Sequence, residues 1–152
     1  MKQLCLYADT SVFGGCFDEE FASESKALFE EIKEGKFVLV MSYITLRELD
    51  RAPEFVQRVL AELPPKMVET IEYSEEIAVL RDAYINAGVI GPAGKSDAEH
   101  IAAASVADVD IVVSWNFRHI VHYEKIIGYQ AVNLMNGYKS ILIYSPKEVV
   151  KL

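Results

Sequence analysis

At 152 residues, 51% of them hydrophobic, the chain is long enough for one domain with a well-buried core, expected to span residues 1–152. Fifteen Lys and Arg against 23 Asp and Glu leave a net charge of −8. That balance excludes a broad electrostatic grip on nucleic-acid phosphates and confines any such contact to a local or metal-mediated one. No run approaches the ~18 apolar residues of a membrane span, and Met1-Lys2-Gln3 leads straight into strand-like sequence without a signal-peptide apolar stretch. Cys5, in an apolar strand, and Cys16, in a turn, form neither a disulfide framework nor a metal-ligand spacing, so reduced thiols in a cytoplasmic protein are expected.

Leu4–Ala8 is a continuous apolar run, the pattern of a strand covered on both faces in a parallel sheet. Asp9, Thr10 and Ser11 end it with turn and cap chemistry, and Gly14-Gly15 forms a turn. Residues 19–34 carry Phe21, Leu28, Phe29 and Ile32 on one helical face, closed by Gly35. Residues 37–41 are a second strand. Ser42 caps a helix to Asp50, and Pro53 begins another that Pro64-Pro65 stops after Leu63. Residues 67–71 are a short third strand, and Ser74 caps a helix with Ile77, Leu80, Tyr84 and Ala87 at three to four residue spacing. Residues 88–94 are loop. Ser96 and Asp97 open a helix whose alanine-rich body, 98–107, suits close packing against a sheet. A strand at 111–114, a helix at Tyr123–Met135 weakened by Gly128, and a final strand at 141–144 before Pro146 complete the chain. Strands alternating with helices predict an α/β class: a three-layer α/β/α fold with a central, mostly parallel sheet of about four to five strands.

In such a layer, strand C-termini and helix N-termini share one edge of the sheet, where ligands bind. Asp9 follows the first strand, Asn116 follows the strand at 111–114, and Asp97 opens a helix at the same edge. Glu48 lies about six residues into its helix, roughly 9 Å below the edge by helical rise, but helical side chains lean toward the N-terminus and a glutamate is long enough to reach. Carboxylates gathered there repel one another and call for a cation. Hard divalent ions such as Mg²⁺ or Mn²⁺ take oxygen ligands, leave positions open for a phosphate, and activate water for attack on a phosphodiester. Each residue alone has a plainer use: Asp9 and Asp97 as caps, Glu48 as a solvated helix residue, Asn116 as a turn former. Their joint placement is what points to a metal site.

These residues also carry a family likeness. The strand-Asp-Thr-Ser segment at Asp9, Thr10 and Ser11, the Arg47-Glu48-Leu49 helix, Lys95-Ser96-Asp97-Ala98-Glu99-His100-Ile101-Ala102-Ala103-Ala104, and Ser114-Trp115-Asn116-Phe117 together resemble a PIN domain, and within it the VapC-type toxins. The resemblance spans the chain. It implies a three-layer α/β/α fold, Mg²⁺- or Mn²⁺-dependent ribonuclease activity, and catalytic and metal-site roles for Asp9, Glu48 and Asp97, with Asn116 beside them. It also implies RNA as substrate, a cognate antitoxin as partner, and a homodimer. At Asn116 the chain departs from the common pattern of a fourth acidic residue; an amide oxygen ligates Mg²⁺ without adding charge, which suits a weaker or single-metal site. The rival reading is a PIN-like module that binds RNA or a protein without cutting.

Thr10 and Ser11 are candidates for contacts to a ligated water or phosphate, or for capping the turn they open. Lys95 and Arg118, with Arg47 and Arg51, would give an acidic protein a local phosphate-binding rim. A haloacid-dehalogenase-like phosphatase would need an aspartate where Ser11 stands, and a response-regulator receiver a lysine that residues 145–147 match only loosely. His119 and His122 lack a third transition-metal ligand and are expected in surface or structural roles; His100, one turn beyond Asp97, has two readings, facing the cleft or, the one preferred, lying on the helix surface; Trp115 is expected to pack beneath the site.

Overall fold

The computed structural model describes residues 3–150; the readings at Met1 and Lys2 lie outside them. Five strands, β1 (Leu4–Ala8), β2 (Phe37–Ser42), β3 (Val68–Ile71), β4 (Ile111–Val113) and β5 (Leu142–Tyr144), form one sheet in the order β3-β2-β1-β4-β5. Every pairing is parallel, with Leu6 opposite both Leu39 of β2 and Ile111 of β4. The helices are α1 (Thr10–Gly15), α2 (Ala22–Lys33), α3 (Tyr43–Asp50), α4 (Glu54–Ala61), α5 (Glu75–Asn86), α6 (Lys95–Val106), α7 (Tyr123–Met135) and α8 (Pro146–Val149).

The continuous apolar runs of β1, β2 and β4 are explained by two cores, because alternate side chains feed opposite faces. Leu6, Ala8, Leu39, Met41, Ile111 and Val113 join residues of α1, α2 and α4 on one face. Tyr7, Val40, Val112 and Ile143 join α5, α6 and α7 on the other. Three-layer α/β/α architecture follows. As the alanine run suggested, α6 is central: Ala98, Ala102, Ala103 and Ala104 are fully buried, and the helix packs against α5, α3 and β2.

The boundaries differ from the sequence reading where short-range interactions decide. Thr10 to Gly15 is a helix rather than a turn; Val12 N–H bonds to the Asp9 carbonyl, and Val12 and Phe13 are buried. A segment this short with two glycines shows no periodicity. Gly15 is needed for close approach, since a Cβ there would stand 2.5 Å from Ser25 Oγ and 2.7 Å from Trp115 Nε1. Helix α2 starts at Ala22 rather than at 19, because Asp18 ties the preceding residues into a turn, accepting from Glu20 N–H through Oδ1 and from Phe21 and Ala22 N–H through its carbonyl. Gly35, at φ +85°, closes it as expected. Pro53 is the N-cap of α4 rather than part of its first turn. Helix α6 opens at Lys95, continuing a 3₁₀ turn at Pro92–Gly94, so Asp97 lies in its first turn rather than at its cap. After β5, Ser145 and Glu148 form a capping box that starts α8, which four residues of sequence did not announce.

Candidate active site

The strand order reverses direction at β1, the first strand and the central one, so the crevice beyond the carboxyl ends of β1 and β4 is the topological switch point. Asp9 leaves β1 into α1, and Asn116 lies three residues past β4. Helix α3 enters directly from β2, with Ser42 Oγ capping it by accepting from Ile44 N–H at 3.2 Å. This brings Glu48 to the edge from one side while α6 brings Asp97 from the other.

Asp9 is 4% exposed and both its oxygens are engaged: Ser11 Oγ donates to Oδ1 at 2.5 Å and Ser114 Oγ to Oδ2 at 2.7 Å. Glu48 Oε1 accepts from Thr10 Oγ1 at 2.9 Å and meets His100 Nε2 at 2.6 Å. Thr10 and Ser11 thus hydrogen-bond the two carboxylates rather than capping the turn they open; Asp9, the N-cap of α1, makes no side-chain cap bond either. Asn116 Oδ1 accepts from the N–H groups of Arg118, at 3.2 Å, and His119, at 2.9 Å, and its side chain is near enough to Asp97 to act on that carboxyl.

His100 was expected at the helix surface and is buried instead, 2% exposed. Its Nδ1 meets Tyr7 Oη at 2.7 Å, and Tyr7 Oη meets Ser42 Oγ at 2.8 Å, so a buried chain runs from the cap of α3 through β1 and α6 to Glu48. Tyr7, Ser42 and Ser114 are the site residues that sequence reasoning missed. For His100 the three-residue spacing from Asp97, on a helix that already had to face the edge, had offered the cleft as the second reading, and that is the one the structure bears out.

The electrostatics are those of crowded carboxylates. Burial pushes Asp9 above the usual carboxylate range, and the charge of Asp97 adds to that, against His100 and the Ser11 and Ser114 bonds. Asp97 is also raised, by burial first and by repulsion from Glu48, against His100, His119 and Asn116. Glu48 goes the other way: burial is outweighed by the bond and charge of His100, by Thr10 and by Arg47, and its carboxyl is held low.

Among the described residues, no group of three or more His, Cys, Asp or Glu side chains is placed to hold a metal ion. The donor chemistry nevertheless fits a hard divalent cation, since Asp9, Glu48, Asp97 and Asn116 all carry side-chain oxygens and two of the carboxyls are raised by burial and by neighbouring carboxylates, a cost that a cation would offset.

Two clefts flank this edge. One, of about 460 Å³, has Arg47, Lys95 and Ser96 in its lining, neighbours in sequence of Glu48 and Asp97. The other, of about 380 Å³, has Ser11, Gly15, Phe21, Trp115 and Asn116. As expected, Trp115 packs at the site: it stacks on Phe21 with centroids 4.2 Å apart, and its Nε1 donates to Ser25 Oγ at 2.8 Å. Arg118 is exposed at the same edge, while His119 and His122 each keep a buried Nδ1 without a hydrogen bond.

An all-parallel five-stranded sheet between helical layers, with its acidic crevice at the switch point, defines the class: the PIN-like three-layer α/β/α fold that the sequence resembles. The chain is similar to the solved structure of VapBC2 from Rickettsia felis bound to a DNA fragment from its promoter, at 12% identity and a TM-score of 0.58, over 93% of this chain and 98% of that one. It is similar also to FitAB bound to the IR36 DNA fragment, at 14% identity and a TM-score of 0.58, over 93% of this chain and 94% of that one. At such identities the likeness is one of fold. No family model matches the chain, and neither does any curated protein compared with it.

Proposed function

We propose that the protein is a Mg²⁺- or Mn²⁺-dependent endoribonuclease of the toxin type. The observation that carries this reading is the crevice itself: Asp9 and Asp97, at the switch point, are both pushed toward protonation by burial and by neighbouring carboxylates. Keeping such a cluster is costly unless a cation compensates it. Asp9, Glu48 and Asp97, assisted by Asn116, would hold the ion; when bound, it supplies an acidified water and charge stabilisation for phosphodiester hydrolysis. The chain's own residues prepare the site. Ser11 and Ser114 fix the Asp9 carboxylate, Thr10 and His100 fix Glu48 and keep it ionised, and Trp115 walls one side. Lys95 and Arg118, exposed on either side of Asp97 and Asn116, are phosphate contacts that an acidic protein needs locally.

The likeness in fold to VapBC2 and FitAB supports a cognate antitoxin as partner; that the antitoxin silences the enzyme by setting a basic side chain into the acidic crevice, and that the toxin is a homodimer, are part of the same proposal and rest on the charge of the crevice and the family resemblance. No helix among the described residues is long and apolar enough to cross a membrane. One observation favours the non-cutting alternative, a module that binds RNA or a protein: Asn116 spends its oxygen on backbone N–H groups. Incubating RNAs of varied sequence with Mg²⁺, with Mn²⁺ and with EDTA separates the two. Cleavage that needs metal and is abolished in Asp97→Asn supports the nuclease; RNA left intact under every condition overturns it.

A further inference from the structure

The larger cleft has features that the carboxylates do not require. Its volume, about 460 Å³, falls within the roughly 300–1,000 Å³ of small-ligand sites. Glu99 is buried in its wall, accepting from Tyr43 Oη and, at 2.8 Å, from Arg81 Nη1. This partners the carboxylate of the lining and fixes the tyrosine ring, since Tyr43 cannot swing away without leaving Glu99 short of a donor. Arg81 also binds Asp82, so it is wall rather than free cation. The cations at the mouth are Arg47 and Lys95, both exposed, with no salt bridge among the described residues.

Tyr73, 54% exposed, meets Tyr43 edge to face, with ring centroids 5.6 Å apart and an interplanar angle of 81°. Edge-to-face packing anchors one ring on the other while leaving ring faces open for a flat partner. A flat π surface beside two exposed cations, of which Arg47 also feels the nearby Glu48 and Glu99 carboxylates, is the combination that holds a nucleotide of a single strand: base on the aromatic face, phosphate on the basic side chains. A duplex, with its bases stacked inward, cannot offer the ring a face. An acidic peptide would satisfy the cations but brings no planar group required by the tyrosine.

From this arrangement we infer that the cleft is a subsite for one nucleotide of single-stranded RNA, its base stacked on Tyr73 and its phosphate held by Arg47 and Lys95, alongside the carboxylate crevice. The choice of RNA rests on the nuclease reading above. The subsite gives the substrate a grip that does not depend on net charge, and it tolerates any base because every base has a π face.

The test is binding without cleavage. In the Asp97→Asn protein, a short single-stranded oligoribonucleotide carrying 2-aminopurine is titrated and read by fluorescence anisotropy and by quenching of the stacked base. Tyr73→Leu is expected to weaken binding about tenfold and abolish the quenching, whereas Tyr73→Phe retains both. Arg47→Gln is expected to lower the slope of log affinity against log salt by about 0.7, the share of one phosphate on a single strand. Unchanged affinity and quenching in Tyr73→Leu, or equal affinity for a duplex of the same sequence or for an acidic peptide, would overturn the inference. The two proposals fail separately: a strand bound as described but never cut by the parent protein removes the nuclease alone, and a strand cut with Tyr73 irrelevant to affinity removes the subsite alone.

Discussion

Replacing Tyr7 with Phe removes one oxygen from the buried chain that ends at Glu48. The hydroxyl lies 2.8 Å from Ser42 Oγ and 2.7 Å from His100 Nδ1, and both partners are almost fully buried. Ser42 keeps its bond to Ile44 N–H, so the loss falls on His100, whose Nδ1 is left without a partner in a site too closed for water to substitute freely. The phenyl ring still fills its place in the core, so no large cavity forms. Leaving a buried polar atom unpaired costs about 1–3 kcal/mol; at about 2–4 °C per kcal/mol for a chain of this size, Tm should fall by roughly 2–12 °C. Thermal and urea unfolding followed by circular dichroism measure this. Because the two residues meet only through His100, the destabilisation should also be coupled to Glu48→Gln, with an interaction energy of about 0.5–3 kcal/mol in a double-mutant cycle. Additivity within the roughly 0.3–0.5 kcal/mol of independent sites, together with an unshifted Tm, would refute the idea that β1, α6 and α3 act through one buried relay.

Other outcomes follow from the same geometry. Asp97 has its carboxyl raised by burial and by Glu48, so the folded, metal-free protein keeps that proton to higher pH than the unfolded chain does, and stability falls as pH rises from the unfolded value of about 3.9 through the folded one. Asp97→Asn should therefore raise Tm at neutral pH in EDTA, with the gain shrinking toward pH 3; a loss of Tm at neutral pH would contradict the crowding. Glu48, held low by His100, has the opposite sign: its stabilisation is present above the unfolded carboxylate range and disappears as pH falls through the folded value. Gly15→Ala forces a methyl against Ser25 and Trp115 and should cost about 1–3 kcal/mol with a change in tryptophan fluorescence, whereas Gly14→Ala, which meets nothing within 4 Å inside α1, should leave the fluorescence unchanged and cost no stability.

Much of the fold was legible because its signals are local. The apolar run of β1 matches the strand residue for residue, and Ser42 and Ser74 cap the helices that their positions announced. The convergence of Asp9, Glu48, Asp97 and Asn116 was legible for a different reason: a parallel layer sends strand ends and helix starts to one edge whatever the packing details. What escaped was set over distance or by a few atoms. His100 is buried by partners 93 and 52 residues away, and neither Tyr7 nor Glu48 announces that bond in its own neighbourhood. Tyr7 looks like core in an apolar strand, and its hydroxyl has meaning only beside Ser42 and His100. The amide of Asn116 is turned by two backbone N–H groups after β4, a choice no spacing encodes. Helix α1 is six residues with two glycines, formed because Val12 and Phe13 find a core to enter.

The central claim, that the acidic crevice holds the ion on which RNA cleavage depends, is tested most directly by titrating Mn²⁺ into the protein and following bound metal by electron paramagnetic resonance and RNA cleavage on the same samples. The expected result is coincident midpoints, with Asp97→Asn weakening both by more than the roughly 10–100-fold that losing an outer-shell partner costs. Cleavage that persists in EDTA, or Mn²⁺ binding unaltered by Asp97→Asn, would contradict it.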